Sequence, residues 1–238
     1  MAHPSVATAK RYLLKLSGEA LQGNLEYGID VQFLEFLAKK IVALVATGKE
    51  VVIVIGGGNI FRGIAGAASG LDRSSADYMG MLATVMNGIA LGDAIKQQGQ
   101  EVRIMSALEI NKVSELFIRG RAMKHLDRGR VIVAVAGSGN PYFTTDSAAV
   151  LRALELDCDM VIKGTKIDGV YSADPAKDPT ATKYDTLSLQ EALERNLRVL
   201  DQSALAMARD EGLPVFVCRI EDIDRLGTGE VVGTLLTP

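Results

Sequence analysis

The stretch that decides the fold of this chain is VVIVIGGGN, which occupies residues 51–59. Its first five residues form an unbroken run of β-branched apolar side chains, which is typical of a strand covered on both faces. Three glycines follow at once, and glycine permits a tight turn in which backbone N–H groups come close to a ligand. Residues 51–59 therefore predict a buried parallel strand that ends in a glycine-rich loop.

Short apolar runs of the same kind alternate with longer helical segments on both sides of this stretch. We predict further strands at residues 12–16, 101–105, 131–136, 160–163 and 214–218, and helices at residues 31–47, 74–98, 114–125, 145–154, 188–195 and 203–211. Strands separated by helices favour right-handed βαβ crossovers, so we expect an α/β fold with a mainly parallel sheet and helices on both sides. No linker divides residues 1–238, which predicts one domain with two lobes, and residues 172–186 are expected to form a long surface loop.

The composition excludes several classes of function. A net charge of −3 over 238 residues leaves no broad basic surface for nucleic acid. The longest apolar runs are far shorter than the roughly 20 residues that cross a bilayer, and residues 1–10 lack the apolar segment of a secretion signal. Cys158 and Cys218 lie far apart in the chain, without metal-ligand spacing. We therefore expect a cytoplasmic protein that binds neither nucleic acid nor membrane.

Glycine turns follow four of the predicted strands, at residues 17–18, 56–58, 137–139 and 164–165. The carboxyl ends of parallel strands share one edge of a sheet, where ligands bind. Any one of these turns could simply be a tight connection, but four at one edge favour phosphate binding. The motif GxxxxGK[ST] is absent, and GxGxxG fails because Phe61 occupies the third glycine position. Neither a P-loop kinase nor a Rossmann dinucleotide site is predicted.

Charged residues with possible catalytic roles lie near these turns. Lys15 and Lys163 end two strands, Arg62 follows the second glycine loop, and Asp146 begins a helix. Phosphoryl transfer needs positive charge placed around the transferring group. Taken singly, the lysines could be solvated strand-end residues, and Asp146 or Asp77 could be a carboxylate that faces a helix dipole. Their expected location at one edge of one sheet is what favours catalysis.

Longer motifs carry a family resemblance. They are LLKLSGEAL at residues 13–21, IGGGNIFRG at 55–63, Asp77 followed by MGMLATVMNG at 79–88, GNPYFTTDSAA at 139–149, DGVY at 168–171 and DPAKDP at 174–179. From about residue 10 to residue 238 the chain resembles the bacterial UMP kinases, a group within the amino acid kinase superfamily. The MGMLAT and GNPYFTTD segments are the most specific to that group.

The resemblance implies a three-layer αβα sandwich of the amino acid kinase type. It implies transfer of the γ-phosphoryl of ATP to UMP, which gives UDP and ADP in pyrimidine nucleotide biosynthesis, with Mg²⁺ bridging ATP oxygens and no protein ligand assigned to the metal. Residues 10–160 would bind UMP and make subunit contacts, whereas residues 161–238 would mainly bind ATP. Members of the group are typically homohexamers that GTP activates and UTP inhibits.

The resemblance also implies roles for individual residues. Lys15, Arg62 and Lys163 would neutralise charge, and Asp146 would orient a lysine. Arg103 and Arg130 match effector-site positions. ATP would contact Lys15, Leu16, Ser17, Gly18, Gly58, Arg62, Thr165, Tyr171 and Asp174. UMP would contact Gly57, Asp77, Ser138, Gly139, Asn140, Pro141, Tyr142, Phe143, Thr144 and Thr145.

Two alternatives stay open at the level of sequence. Another enzyme of the superfamily would phosphorylate a carboxylate or a carbamate, and residues 140–146 argue against such an acceptor. A sensing module would bind ATP or UMP without turnover, and the presence of Lys15 and Arg62 argues against that module.

Overall fold

A computed structural model describes residues 5–23, 25–61 and 70–238 of the chain. The strands within these residues are β1 (Arg11–Leu16), β2 (Glu50–Ile55), β3 (Val102–Ser106), β4 (Glu115–Leu116), β5 (Val131–Val135), β6 (Met160–Thr165), β7 (Val170–Tyr171), β8 (Lys183–Tyr184), β9 (Thr186–Ser188), β10 (Val215–Arg219) and β11 (Gly233–Thr237). The α-helices are α1 (Val31–Ala46), α2 (Arg73–Gln97), α3 (Arg119–Leu126), α4 (Thr145–Glu155), α5 (Leu189–Glu194) and α6 (Gln202–Asp210). Two 3₁₀ helices span Gly18–Ala20 and Ile220–Gly227.

One mainly parallel sheet organises the described residues. Its strand order is β4-β3-β5-β2-β1-β6-β10-β11-β9, and β7 pairs with β8 in a separate antiparallel hairpin. The first seven strands in this order are parallel, whereas β11 runs antiparallel to β10 and carries β9 beside it. The carboxyl ends of β5, β2, β1 and β6 therefore lie side by side at one edge.

Alternate residues of the central strands are buried on opposite faces of the sheet. Tyr12 and Ile53 face a core that includes residues of α1, α2 and the second 3₁₀ helix. Leu13 and Val52 face a second core that includes residues of α3, α4, α5 and α6. Because both faces of the strands are covered, their sequences read as continuous apolar runs. The predicted α/β fold, a three-layer sandwich with a mainly parallel sheet, is confirmed.

Helix starts are set by side chains that bond the free N–H groups of the first turn. Asp30 accepts from Gln32 N at 2.9 Å before α1, and Asp201 accepts from Ala204 N at 2.8 Å before α6. Thr144 accepts from Asp146 N at 3.0 Å before α4. Such caps typically contribute about 1 kcal/mol each and define where a helix begins.

The prediction was wrong for several segments. The helix expected from residue 114 begins at Arg119, because Glu115–Leu116 joins the sheet edge as β4 and Ile118 has an extended backbone. The surface loop expected over residues 172–186 includes β8 and the start of β9. Strands β7, β8 and β9 have only two or three residues each, too few to show a period in sequence. Strand β11 was also missed.

Helix α2 is long and apolar enough, by length and composition, to cross a membrane. Half of its most apolar 18-residue segment is buried inside the fold. The helix lies against α1, β3 and β5. One such helix among the described residues is weak evidence for a membrane span, because core helices of soluble proteins meet the same criteria.

Candidate active site

The glycine loops at the ends of β1 and β2 are in direct contact. Gly56 N donates to Leu16 O at 2.9 Å. A Cβ added to Gly18 would lie 2.4 Å from Gly56 O, so that position has no room for a larger residue. A Cβ on Gly56 would lie 3.6 Å from the Thr145 hydroxyl at the start of α4. Two glycine turns and a helix N-terminus therefore meet at one place.

A cavity of about 640 Å³, here called the glycine cavity, opens at this meeting point. Its walls come from the end of β1, the 56–58 loop, the first half of α2 and the 137–145 loop. The predicted site residues that line it are Lys15, Ser17, Gly57, Gly58, Asp77, Ser138, Asn140, Phe143, Thr144 and Thr145. Leu16 and Gly18 are buried beneath it, and Gly139, Pro141 and Tyr142 belong to the same loop without lining the cavity. Arg62 lies outside the described residues.

A second cavity, of about 670 Å³, lies beside β6 and the β7–β8 hairpin and is here called the hairpin cavity. Lys163, Thr165, Tyr171 and Asp174 line it, as do residues 195–199, which the sequence analysis did not assign to the site. Tyr171 Oη donates to Asp168 Oδ1 at 2.8 Å, which links β7 to the segment that leads into it from β6. This hydrogen bond is the main reason that the pKa of Asp168 lies below its usual range. The predicted ATP contacts are thus divided between the two cavities.

Three charged side chains lie between the cavities. Strand pairing places Lys15 of β1 directly opposite Lys163 of β6. Lys15 Nζ forms an ion pair with Asp146 Oδ1, and Lys163 Nζ lies 3.8 Å from Asp146 Oδ2. Lys163 also donates to Val199 O, beside the hairpin cavity. The trio is largely buried and has a net positive charge, which suits the binding of phosphate groups.

Burial and the neighbouring opposite charges shift the pKa values of Asp146 and Lys163 in opposite directions. Burial by itself would raise the pKa of Asp146, but attraction to Lys15 and Lys163 outweighs it, and the pKa lies below its usual range. Burial lowers the pKa of Lys163, and the charge of Asp146 opposes that effect only in part. Asp146 is therefore ionised near neutral pH, which suits a role in orienting lysines rather than in donating a proton.

Asp201 is a site residue that the sequence analysis missed. Its carboxylate accepts from the Thr144 and Ser147 hydroxyls, the latter at 3.0 Å, and its backbone N–H donates to Asp146 Oδ2 at 3.2 Å. It thereby ties the start of α6 to the start of α4. An aspartate before the helix predicted at 203–211 was a visible capping signal, but its distant partners were not.

Two buried amides, Asn59 and Asn87, were also missed. Asn87 Nδ2 donates to Gly56 O and to Asn59 Oδ1, both at 2.7 Å. Asn59 Nδ2 donates to Gly28 O at 2.7 Å. The pair fixes the second glycine loop against α2. Both residues lie inside the quoted motifs, which was the only signal for them.

Arg103 and Arg130 do not line either cavity but share one charged cluster. Arg130 Nε lies 2.5 Å from Glu101 Oε2, and Arg103 Nε lies 3.5 Å from Glu115 Oε1. His125 joins the two sides of the cluster, since it contacts both Glu115 and Arg130 at 3.1 Å. Arg103 lines a third cavity, of about 610 Å³, beside β4.

Two cavities joined by buried lysines and glycine turns form the arrangement expected of a phosphotransferase that holds two phosphorylated ligands end to end. Comparison with known proteins agrees. The model of the amino acid kinase family matches residues 10–219. A UMP kinase structure from Bacillus anthracis is 39% identical and superimposes with a TM-score of 0.92 over 96% of each chain.

Two further solved structures are similar over nearly the whole chain. A UMP kinase from Ureaplasma parvum is 33% identical, with a TM-score of 0.91 over 97% of this chain and 99% of the other. A uridylate kinase from Archaeoglobus fulgidus is 29% identical, with a TM-score of 0.71 over 94% of this chain and 99% of the other. The chain belongs to the amino acid kinase family. The resemblance to bacterial UMP kinases, first predicted from the motifs, is confirmed.

The packing around Gly57 supports a first prediction. A Cβ at this position would lie 2.8 Å from both Ala83 Cβ and Gly80 O, and the helix backbone of α2 cannot easily move away. We expect Gly57→Ala to lower the free energy of unfolding by about 1–3 kcal/mol. Gly120→Ala is the matched control, because nothing lies within 4 Å of a Cβ there, and it should not lower the free energy of unfolding. Urea unfolding measures both, and equal midpoints would contradict the packing argument.

Proposed function

We propose that this protein is an ATP-dependent UMP kinase, which converts UMP and ATP to UDP and ADP. The observation that carries the proposal is the Lys15–Asp146–Lys163 trio between two nucleotide-sized cavities. The full-length similarity to solved UMP kinases supports the choice of acceptor.

We place UMP in the glycine cavity and the nucleoside of ATP in the hairpin cavity. Thr165, Tyr171 and Asp174 would then contact ATP, while Asp77 and the 138–145 loop would contact UMP. In this assignment residues 10–160 mainly serve UMP and residues 161–238 mainly serve ATP. The phosphates of the two nucleotides would meet at the trio, beside the glycine turns at residues 17–18 and 56–58, whose backbone N–H groups would bind phosphate oxygens.

The chemistry requires charge neutralisation and alignment. An oxygen of the UMP phosphate forms a new bond to the γ-phosphorus of ATP, while the bond from that phosphorus to the β-phosphate oxygen breaks and ADP leaves. The attacking oxygen is already ionised, so no general base is needed. Lys15, Lys163 and Arg62 would stabilise the charge on the transferring oxygens, and Asp146 would hold the two lysines in place.

A Mg²⁺ ion would enter with ATP. Mg²⁺ is commonly held by nucleotide phosphates, water and one or two carboxylates. In the part of the chain that the structure describes, no three His, Cys, Asp or Glu side chains cluster as a metal site. Coordination mainly by ATP oxygens and water fits these residues.

A coupled assay of ADP release tests the proposed function, with ATP and, in turn, each nucleoside monophosphate, a carboxylate or a carbamate as the acceptor. We expect turnover with UMP and a strong preference for UMP over CMP. Turnover with a carboxylate or carbamate alone would instead support another enzyme of the superfamily. Nucleotide binding in calorimetry without ADP release would support a sensing module.

We also propose that the protein is a cytoplasmic homohexamer in pyrimidine nucleotide synthesis, activated by GTP and inhibited by UTP through the cluster around Arg103 and Arg130. An apolar stripe on the outer face of α2 supports self-association, because large exposed apolar patches commonly mark interfaces. Its members are between 39% and 54% exposed: Tyr78, Met79, Leu82, Met86 and Ile89.

Replacing a residue of this stripe tests the assembly. Light scattering should give about six times the 25.4 kDa monomer mass for the natural sequence. Met86→Lys should lower that mass, because a charge buried in an interface is costly. Val232→Lys, at an equally exposed apolar residue outside α2, should leave it unchanged. A monomeric natural protein would rule out the hexamer.

A further inference from the structure

Arg73, at the start of α2, lines the glycine cavity and contacts both Asp77 of the same helix and Tyr142 of the 137–145 loop. Its Nε lies 2.8 Å from Asp77 Oδ2, one helical turn away. The same oxygen accepts from the backbone N–H of Tyr142 at 2.8 Å. The Arg73 guanidinium also lies over the Tyr142 ring, 5.3 Å from its centroid. Arg73 thus joins α2 to the 137–145 loop through both a carboxylate and an aromatic ring.

The conformation of Tyr142 explains why such a contact is needed. Its φ of 72° lies in the left-handed region, which non-glycine residues rarely adopt. Tyr142 is 67% exposed, so burial in the core does not hold it there. The hydrogen bond to Asp77 and the guanidinium over the ring are contacts that help to hold this turn. Backbone strain of this kind persists only where surrounding contacts compensate for it.

The two oxygens of Asp77 have different environments. Oδ2 is shared by Arg73 and Tyr142. Within the described residues 5–23, 25–61 and 70–238, Oδ1 accepts no hydrogen bond, and Asp77 lines the glycine cavity. Because Oδ2 is held from two directions, Oδ1 is presented to a ligand in a defined orientation. A carboxylate oxygen accepts hydrogen bonds, so it suits a ribose hydroxyl.

We propose that Arg73 is a positioning residue that sets the preference of the acceptor site for ribonucleotides over 2′-deoxyribonucleotides. It acts through Asp77: together with the N–H of Tyr142 it holds Oδ2, so that Oδ1 would accept from the ribose. This inference rests on the proposed function, because it assumes that UMP occupies the glycine cavity. A site built to bond a hydroxyl discriminates against an analogue that lacks it.

The experiment compares UMP with 2′-deoxy-UMP in the natural protein, Arg73→Gln, Asp77→Asn and the double variant. We expect Arg73→Gln to raise the KM for UMP about tenfold, to change the KM for 2′-deoxy-UMP much less, and to leave the KM for ATP unchanged. The KM for UMP of the double variant should be no higher than that of Asp77→Asn alone, because Arg73 acts through that carboxylate. Arg73→Lys should recover part of the preference, since it keeps the charge but lacks the planar fork.

Arg225→Gln is the matched control, because Arg225 is an exposed arginine that also pairs with an aspartate one helical turn away, Asp222. It should leave both KM values unchanged. Calorimetric titration of UMP and of 2′-deoxy-UMP gives a second readout that does not depend on turnover, and circular dichroism confirms that each variant folds. If Arg73→Gln does not fold, Arg73→Lys decides the question through its ribose preference.

If the ratio of the KM for 2′-deoxy-UMP to the KM for UMP is unchanged in the folded Arg73 variants, the proposed role of Arg73 is overturned. Additive effects in the double variant, or an equal rise in the KM for ATP, would do the same. Failure of the natural protein to phosphorylate UMP would instead overturn the proposed function, so the two failures are distinguishable.

Discussion

Replacing Lys15 by alanine is expected to lower kcat about 100- to 1,000-fold, the range seen when one donor to a developing charge is removed. The Kd for UMP should change far less, because the charge that Lys15 meets is greatest in the transition state. Lys15 is only 8% exposed and its ammonium is held against Asp146 between the two cavities. Steady-state kinetics and calorimetric titration of UMP together measure the two effects.

The control for this prediction is Lys39→Ala. Lys39 is an exposed lysine that is also paired with a carboxylate, Glu35, and its loss should leave kcat unchanged. A folded Lys15→Ala protein with an unaltered kcat would remove Lys15 from the mechanism.

Replacing Asp146 by asparagine should reduce both activity and stability. The amide would leave the facing ammonium groups of Lys15 and Lys163 without their shared anion. Removing one partner of a buried ion pair typically costs about 3–5 kcal/mol, and we expect a fall in kcat of about 100-fold because the lysines lose their orientation. Denaturant unfolding and steady-state kinetics measure these effects.

The same variant should change how stability depends on pH. Because the pKa of Asp146 is lowered by folding, its contribution is present above the ordinary carboxyl pKa of about 3.9 and is lost as pH falls through the lower folded value. Asp146→Asn should therefore lose less stability than the natural protein on acidification. Asp157→Asn, at a surface ion pair with Arg119, should cost less than about 1 kcal/mol. If the two substitutions lowered the free energy of unfolding at neutral pH by equal amounts, a central role for Asp146 would be contradicted.

Part of the site was predictable because the signals are local. The apolar runs at residues 51–55 and 131–136 predict strands, and a glycine directly after such a run predicts a loop at a known edge of the sheet. Lys15 and Lys163 could be placed at that edge because each ends a strand. Contacts between distant segments could not be predicted in this way. Asp201, Asn59 and Asn87 are polar residues whose partners depend on how helices pack against the sheet.

By itself, the sequence determined the α/β class, the parallel arrangement of the central strands, the edge of the sheet where the glycine turns lie, and the family. These properties follow from residue periodicity and from motifs that are continuous in the chain. Only the tertiary structure decided that Lys15 faces Lys163, that Asp146 lies between them, and that Asp77 holds Tyr142. The physical reason is that strand register and helix packing are selected by the burial of whole apolar faces, which no single segment of the sequence specifies.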